Sequence, residues 1–361
     1  MTAGTDEDSV EIARERRVRI LIVDDSVVAR RVLHRILTGN RRMDVVRTAH
    51  HAGEAIDFLS NEKVDLILLA IEMPGESGLV ALPTILRLCG DSRVVILSSN
   101  CAEGSAASVQ ALALGAADVI SKPESGAFGD AFANALIQRL LRLADGLDRM
   151  PDNAAPEGLT LAPVREGQPI SCLGLGASTG GIHALGQFFT ALTKRPGVPI
   201  LLTQHLPPSF IPYFAGQLAR MTPMRVKVAE QGEALLADTV YIAPGEAHLG
   251  SRQIVPGRAV VELSSEKAAH AGIPAVDPMF SAMAATYGAG AVGIVLTGMG
   301  RDGTAGARRI IAEGGQILAQ DRESCVVWGM PGSVARAGLA SALLPPDGIA
   351  ALVNRQLLVP A

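Results

Sequence analysis

From Arg19 onward the chain alternates short runs of aliphatic and β-branched residues with helix-length segments, and this alternation restricts the fold more than any other feature. The runs Ile20–Asp24, Asp44–Thr48, Asp65–Leu69, Arg93–Leu97 and Ala117–Ile120 predict five strands, with helices between them and a last helix over 128–143. Strands linked by helices form a mostly parallel sheet covered on both faces. Such sheets bind ligands at the carboxyl ends of their strands.

Polar residues stand at those ends: Asp24 and Asp25 after the first strand, Ser98 and Ser99 after the fourth, Lys122 after the fifth. Adjacent carboxylates suit Mg2+, a hard cation that prefers oxygen, while a hydroxyl and an ammonium would hold phosphoryl oxygens. Equally, the aspartates would cap a helix beginning near Ser26, and Lys122 would be a solvated turn residue.

A second α/β pattern begins near residue 168. The stretch 170–181 is an apolar run that turns through small residues into a helix, with Ser178 at the bend. Gly176-Ala-Ser-Thr-Gly180 has the form of a nucleophile elbow, and the N–H groups of Thr179 and Gly180 at the helix start would face an oxyanion. The same pattern also suits a phosphate or nucleotide cradle, or a close-packed turn. The runs 198–205 and 291–297 predict two further strands, the first ending on His205 and the second followed by a glycine-rich turn containing Asp302. In a parallel sheet these ends share one edge, so Ser178, His205 and Asp302 can meet. Histidine would take the serine proton and aspartate would orient the imidazole. Taken singly, His205 reads as a satisfied core histidine and Asp302 as a helix cap. The order Ser, His, Asp differs from that of the α/β-hydrolases.

Length allows two such domains: residues 17–142 and 168–361, with a flexible tail over 1–16 and a Pro/Gly-rich linker over 143–167. A formal charge of −4 without long runs of one sign argues against nucleic acid as partner. The apolar runs are too short and interrupted to enter a membrane. Cys89, Cys101, Cys172 and Cys325 form no CxxC pair, the spacing of Cys, His and acidic residues suggests no zinc site, and the expectation is a reducing cytoplasm. His34, His50 and His51 are expected on solvated faces, and Met279, Phe280, Met283 and Tyr287 in the core; His248, after the Ala243-Pro-Gly loop, reads first as a structural residue and only second as one that approaches substrate.

The runs Leu21-Ile-Val-Asp-Asp-Ser26, Glu72-Met-Pro74, Leu97-Ser-Ser99, Leu114-Gly-Ala116 and Ser121-Lys-Pro123 resemble a response-regulator receiver domain. The resemblance implies a (βα)5 fold, a histidine kinase as partner, and a phospho-acceptor aspartate where this chain has Ala70. A methyl group accepts no phosphate, and its presence leaves Asp24 and Asp25 as a weakened Mg2+ site.

The motifs Gly174-Leu-Gly-Ala-Ser-Thr-Gly-Gly181, Gln204-His-Leu-Pro207, Tyr241-Ile-Ala-Pro-Gly245, Val276-Asp-Pro-Met-Phe280, Leu296-Thr-Gly-Met-Gly-Arg-Asp-Gly303 and Gly329-Met-Pro331 resemble the catalytic domain of the CheB protein-glutamate methylesterases. The resemblance covers nearly the whole chain. It implies Ser178 as nucleophile, His205 as base and Asp302 as its partner, with the turn at Met299 and Gly300 adding to the oxyanion site. It also implies no cofactor for catalysis and, as substrate, methylated glutamates or glutamines on the cytoplasmic helices of a methyl-accepting chemoreceptor. Two other classes stay open: a non-catalytic signalling scaffold, and a serine hydrolase with another ester or amide substrate.

Overall fold

The computed structural model describes residues 17–98, 102–123, 128–145, 159–163, 167–266 and 272–357. The tail over 1–16, most of the linker, Ser99 and Cys101 lie outside the described residues.

In the first half, strands β1 (Val18–Val23), β2 (Met43–Ala49), β3 (Leu66–Ala70), β4 (Arg93–Ser98) and β5 (Asp118–Ser121) alternate with helices α1 (Val27–Thr38), α2 (Ala52–Leu59), α3 (Gly78–Leu88), α4 (Ala102–Leu114) and α5 (Asp130–Asp145). The strands form one parallel sheet in the order β2-β1-β3-β4-β5. All five expected strands are present, and α5 takes the place of the helix expected over 128–143. Strand β3 is buried along its whole length, which is why it reads as an unbroken apolar run.

The second half runs β6 (Cys172–Ala177), α6 (Gly181–Ala191), β7 (Ile200–Gln204), α7 (Ile211–Ala219), β8 (Arg225–Val228), β9 (Thr239–Ile242), β10 (His248–Val255), β11 (Arg258–Ser264), α8 (Val276–Tyr287), β12 (Ala291–Val295), α9 (Thr304–Ala312), β13 (Gln316–Gln320), α10 (Met330–Arg336), β14 (Ala342–Leu344) and α11 (Pro346–Gln356). Seven strands make a parallel sheet in the order β14-β13-β12-β6-β7-β9-β8, and β10 with β11 forms a separate antiparallel hairpin. The chain leaves β6 towards β7 and later returns on its other side as β12. That reversal opens a crevice at the carboxyl ends of β6, β7 and β12.

Glycines set how closely the layers approach. A Cβ at Gly174 would lie 2.3 Å from Met283 Sδ, and one at Gly176 would lie 2.5 Å from Val276 Cγ1. Helix α8 therefore rests directly on β6, with Met279, Phe280 and Met283 fully buried as expected.

The two halves pack together. The His183 Nδ1–H donates to the Ala113 carbonyl at the end of α4 at 3.0 Å, and the Gly180 N–H donates to the Ala117 carbonyl at 3.1 Å. Val327, with Met299 and Val326 beside it, joins the apolar cluster that contains Ile120 and Leu136 of the first half.

Because β6 and α8 are in backbone-close contact, Gly176→Val must force them apart. The variant is expected to lose about 1–3 kcal/mol of stability on chemical denaturation. An unchanged midpoint would show that the contact tolerates a side chain.

Candidate active site

Ser178 sits at the bend between β6 and α6. Its N–H donates to the Thr297 carbonyl at 3.0 Å, and its own carbonyl accepts from the Gly181 N–H at 2.8 Å and from Gln204 Nε2 at 2.9 Å. The backbone around the hydroxyl is therefore held from three sides. Gly180 has φ 76°, a left-handed conformation that turns the chain sharply into α6 and favours glycine.

β7 ends one residue before the expected strand end, so His205 is the first residue beyond it, and its amide remains tied to the Ala177 carbonyl at 3.0 Å. Its Nε2 lies 2.8 Å from Asp302 Oδ2. A carboxylate only accepts, so Nε2 carries the hydrogen and Nδ1 keeps its lone pair. The imidazole is thus set as a base through Nδ1.

Asp302 is only 3% exposed. Burial raises its pKa, but the His205 hydrogen bond and the Val276 and Asp277 amides outweigh that and hold it below the usual carboxylate value. The amide bonds are 2.7 Å from Val276 to Oδ2 and 3.0 Å from Asp277 to Oδ1, with a third of 2.9 Å from Gly303 to Oδ1. Helix α8 has no side-chain cap of its own. Asp302 therefore caps it from outside while holding the His205 imidazole. Asp277 returns the service by accepting the Gly306 N–H of α9 at 2.8 Å. Burial, then the Asp302 charge among other causes, raises the Asp277 pKa.

Gly298 brings the following turn against the serine: a Cβ there would lie 2.8 Å from Ser178 Cβ and 2.4 Å from Met330 Sδ. The N–H groups of Thr179, Met299 and Gly300 donate to no other described residue, so they are available to an incoming oxygen. Gly180 differs, since its N–H is committed to Ala117. Ser178 and His205 line one cavity of about 330 Å3, without a hydrogen bond between them, and the opposite wall is formed by β5 and α5 of the first half, including Phe132 and Arg139.

The other expected residues resolve differently. Asp24 is buried; its Oδ1 accepts the Ser26 N–H at 3.0 Å, and Lys122 Nζ lies 2.7 Å from Oδ2, a charge contact off the hydrogen-bonding direction. Ser26 itself caps α1, and Asp25 is exposed. Ala70 and Ser98 are buried, while Glu72 is exposed. The carboxylates at this edge are thus one buried group already facing an ammonium and one exposed group beside it, with the Ala70 methyl at the end of β3.

His248 is buried, with the Ala275 N–H and the Glu266 carbonyl as partners of its two ring nitrogens. Ser281 donates to the Asp277 carbonyl within α8 at 2.7 Å. His34, His50 and His51 are exposed as expected. The structure also brings His50, His51 and Glu54 within 4.8 Å of one another, a grouping the spacing argument did not find. Cys172 and Cys325 are buried thiols, raised well above the ordinary value by desolvation. No helix among the described residues is long and apolar enough to cross a membrane.

The CheB methylesterase family matches residues 173–353, and the response regulator receiver domain family matches 20–127. A protein-glutamate methylesterase/protein-glutamine glutaminase of Caulobacter vibrioides is 39% identical over 337 residues, covering 92% of this chain and 96% of its own. One from Azospirillum brasilense is 34% identical, covering 94% and 92%. Among solved structures, the CheB methylesterase catalytic domain of Thermotoga maritima aligns with a TM-score of 0.50 at 36% identity, over 52% of this chain and 98% of that one.

Gly298→Ala is expected to push the 298–300 turn away from Ser178 and lower turnover about 100-fold while the protein stays folded. Ester hydrolysis measured beside circular dichroism checks this; wild-type turnover would mean the approach is not needed.

Proposed function

The chain belongs to the CheB methylesterase family, and on that premise we propose that it hydrolyses glutamyl methyl esters, and deamidates glutamine, on the cytoplasmic helices of a chemoreceptor. The observation that carries the mechanism is the His205–Asp302 hydrogen bond, formed at the strand ends beside Ser178.

As Ser178 Oγ attacks the ester carbonyl, His205 Nδ1 takes its proton and Asp302 stabilises the resulting imidazolium. The carbonyl oxygen becomes an oxyanion and is met by the Thr179 and Met299 N–H groups. When the intermediate collapses, the carbon–oxygen bond to methoxide breaks and the imidazolium returns the proton, releasing methanol. Water then attacks the acyl-serine with the same histidine as base, which frees the glutamate carboxyl and restores Ser178. Glutamine follows the same path with ammonia leaving. None of these steps calls on a metal.

The receptor must reach a cavity whose far wall is β5 and α5. The reading is therefore that the receiver half restrains activity in this arrangement. Ala70 offers a histidine kinase no acceptor at the usual position, so release comes through another event, such as partner binding. A cytoplasmic location follows from the substrate.

Methanol release from a methylated receptor fragment tests the mechanism. Ser178→Ala is expected to reduce it about 10^3-fold or more. Equal release from the variant would sink the serine mechanism, and no release from the folded wild-type chain would favour a scaffold.

A chain starting at residue 159 is expected to release methanol faster than the full chain, and equal rates would refute restraint by the receiver. Ala70→Asp, given Mg2+ and a small phosphodonor, is expected to gain stimulation that the unaltered chain lacks. Stimulation of the unaltered chain would show that the receiver accepts phosphate elsewhere.

A further inference from the structure

We propose that His248 is a positioning residue for this reaction: by accepting the Ala275 N–H it sets the backbone turn whose next two amides hold Asp302 against His205. The inference rests on the catalytic roles proposed above for Asp302 and His205.

His248 opens β10 and is 2% exposed. Both ring nitrogens are committed. Nδ1 accepts from the Ala275 N–H at 2.9 Å, so it carries a lone pair; Nε2 carries the hydrogen and donates it to the Glu266 carbonyl at 2.8 Å. The ring is neutral in a single tautomer, because a proton on Nδ1 would face the Ala275 N–H.

Ala275 is the N-cap of α8, extended at φ −128° and ψ 153°, and has no side chain able to cap. The amides of Ala275, Val276 and Asp277 are consecutive. The first is fixed by His248, and the second and third bind the two oxygens of Asp302. Each peptide unit is planar, so fixing the first restricts the aim of those that follow. Three linked contacts thus run from His248 through the start of α8 to Asp302 and on to His205. His248 touches no reacting atom along that path.

A purely structural role would be simpler: a core histidine tying the hairpin to the segment before α8. The two roles differ in which nitrogen matters. Only the Nδ1 bond leads to Asp302, whereas the Nε2 bond leads to Glu266.

Three variants separate them. His248→Asn places an amide oxygen where Nδ1 was and keeps an acceptor for Ala275, but does not reach Glu266. His248→Gln extends an amide towards Glu266 and leaves no acceptor at the Nδ1 position. His248→Ala removes both bonds.

Methanol release from methylated receptor fragment gives kcat and KM for each, with denaturation reporting the folded fraction and Ser178→Ala as control. The Ala and Gln variants are expected to lose about 10- to 100-fold in kcat with KM little changed, and Asn to recover most of that loss. Any other ranking overturns the inference, as does a loss that merely follows the folded fraction. An active Ser178→Ala would instead remove the catalytic reading on which it rests.

Discussion

A buried carboxylate with no positive side chain permanently beside it is costly, and the methylesterase half is arranged around satisfying one. Asp302 receives three backbone N–H groups and the His205 imidazole within 3.0 Å. Two of the amides belong to the first turn of α8, where the helix dipole also favours negative charge. Asp277, in that same turn, accepts an amide from α9 in exchange. Two helices and the His205 imidazole are therefore joined at one charged group. Chemistry and folding share that joint, so the orientation of His205 is as firm as the packing of α8 on β6.

That packing depends on missing side chains. Gly174 and Gly176 let α8 lie on β6, and Gly298 lets the 298–300 turn lie against Ser178. The serine is thereby enclosed by backbone on two sides, and backbone supplies the unoccupied N–H groups at the site. Side chains in those places would be longer and softer. A site built from close backbone needs little reorganisation when charge develops on the substrate.

Much of this was legible in advance, for a physical reason. Strands β3, β6, β7 and β12 are buried on both faces, so they appear as unbroken apolar runs whose polar ends mark the catalytic edge. Strand β8 is short and partly exposed, and β10 and β11 turn from buried to exposed along their length, so their runs carry a weaker signal. The contacts of Asp302 were hidden for another reason: its partners are amides, which every residue but proline possesses. The partners of His248 are likewise peptide groups, the Ala275 N–H and the Glu266 carbonyl. A pattern of residue types shows which side chains are chemical, but not which peptide groups they meet.

The same limitation bears on how the two halves are coupled. The contacts that bring the receiver over Ser178 use the carbonyls of Ala113 and Ala117. Ala70, at the end of β3, takes no part in them. At the carboxyl ends of the receiver strands, the Lys122 ammonium faces Asp24 while its backbone N–H donates to the Ser98 carbonyl at 2.8 Å. The residues just before it, Asp118 to Ser121, line the cavity shared with Ser178. Through Asp24, Lys122 thus ties the end of β5, and with it one wall of that cavity, to the end of β1.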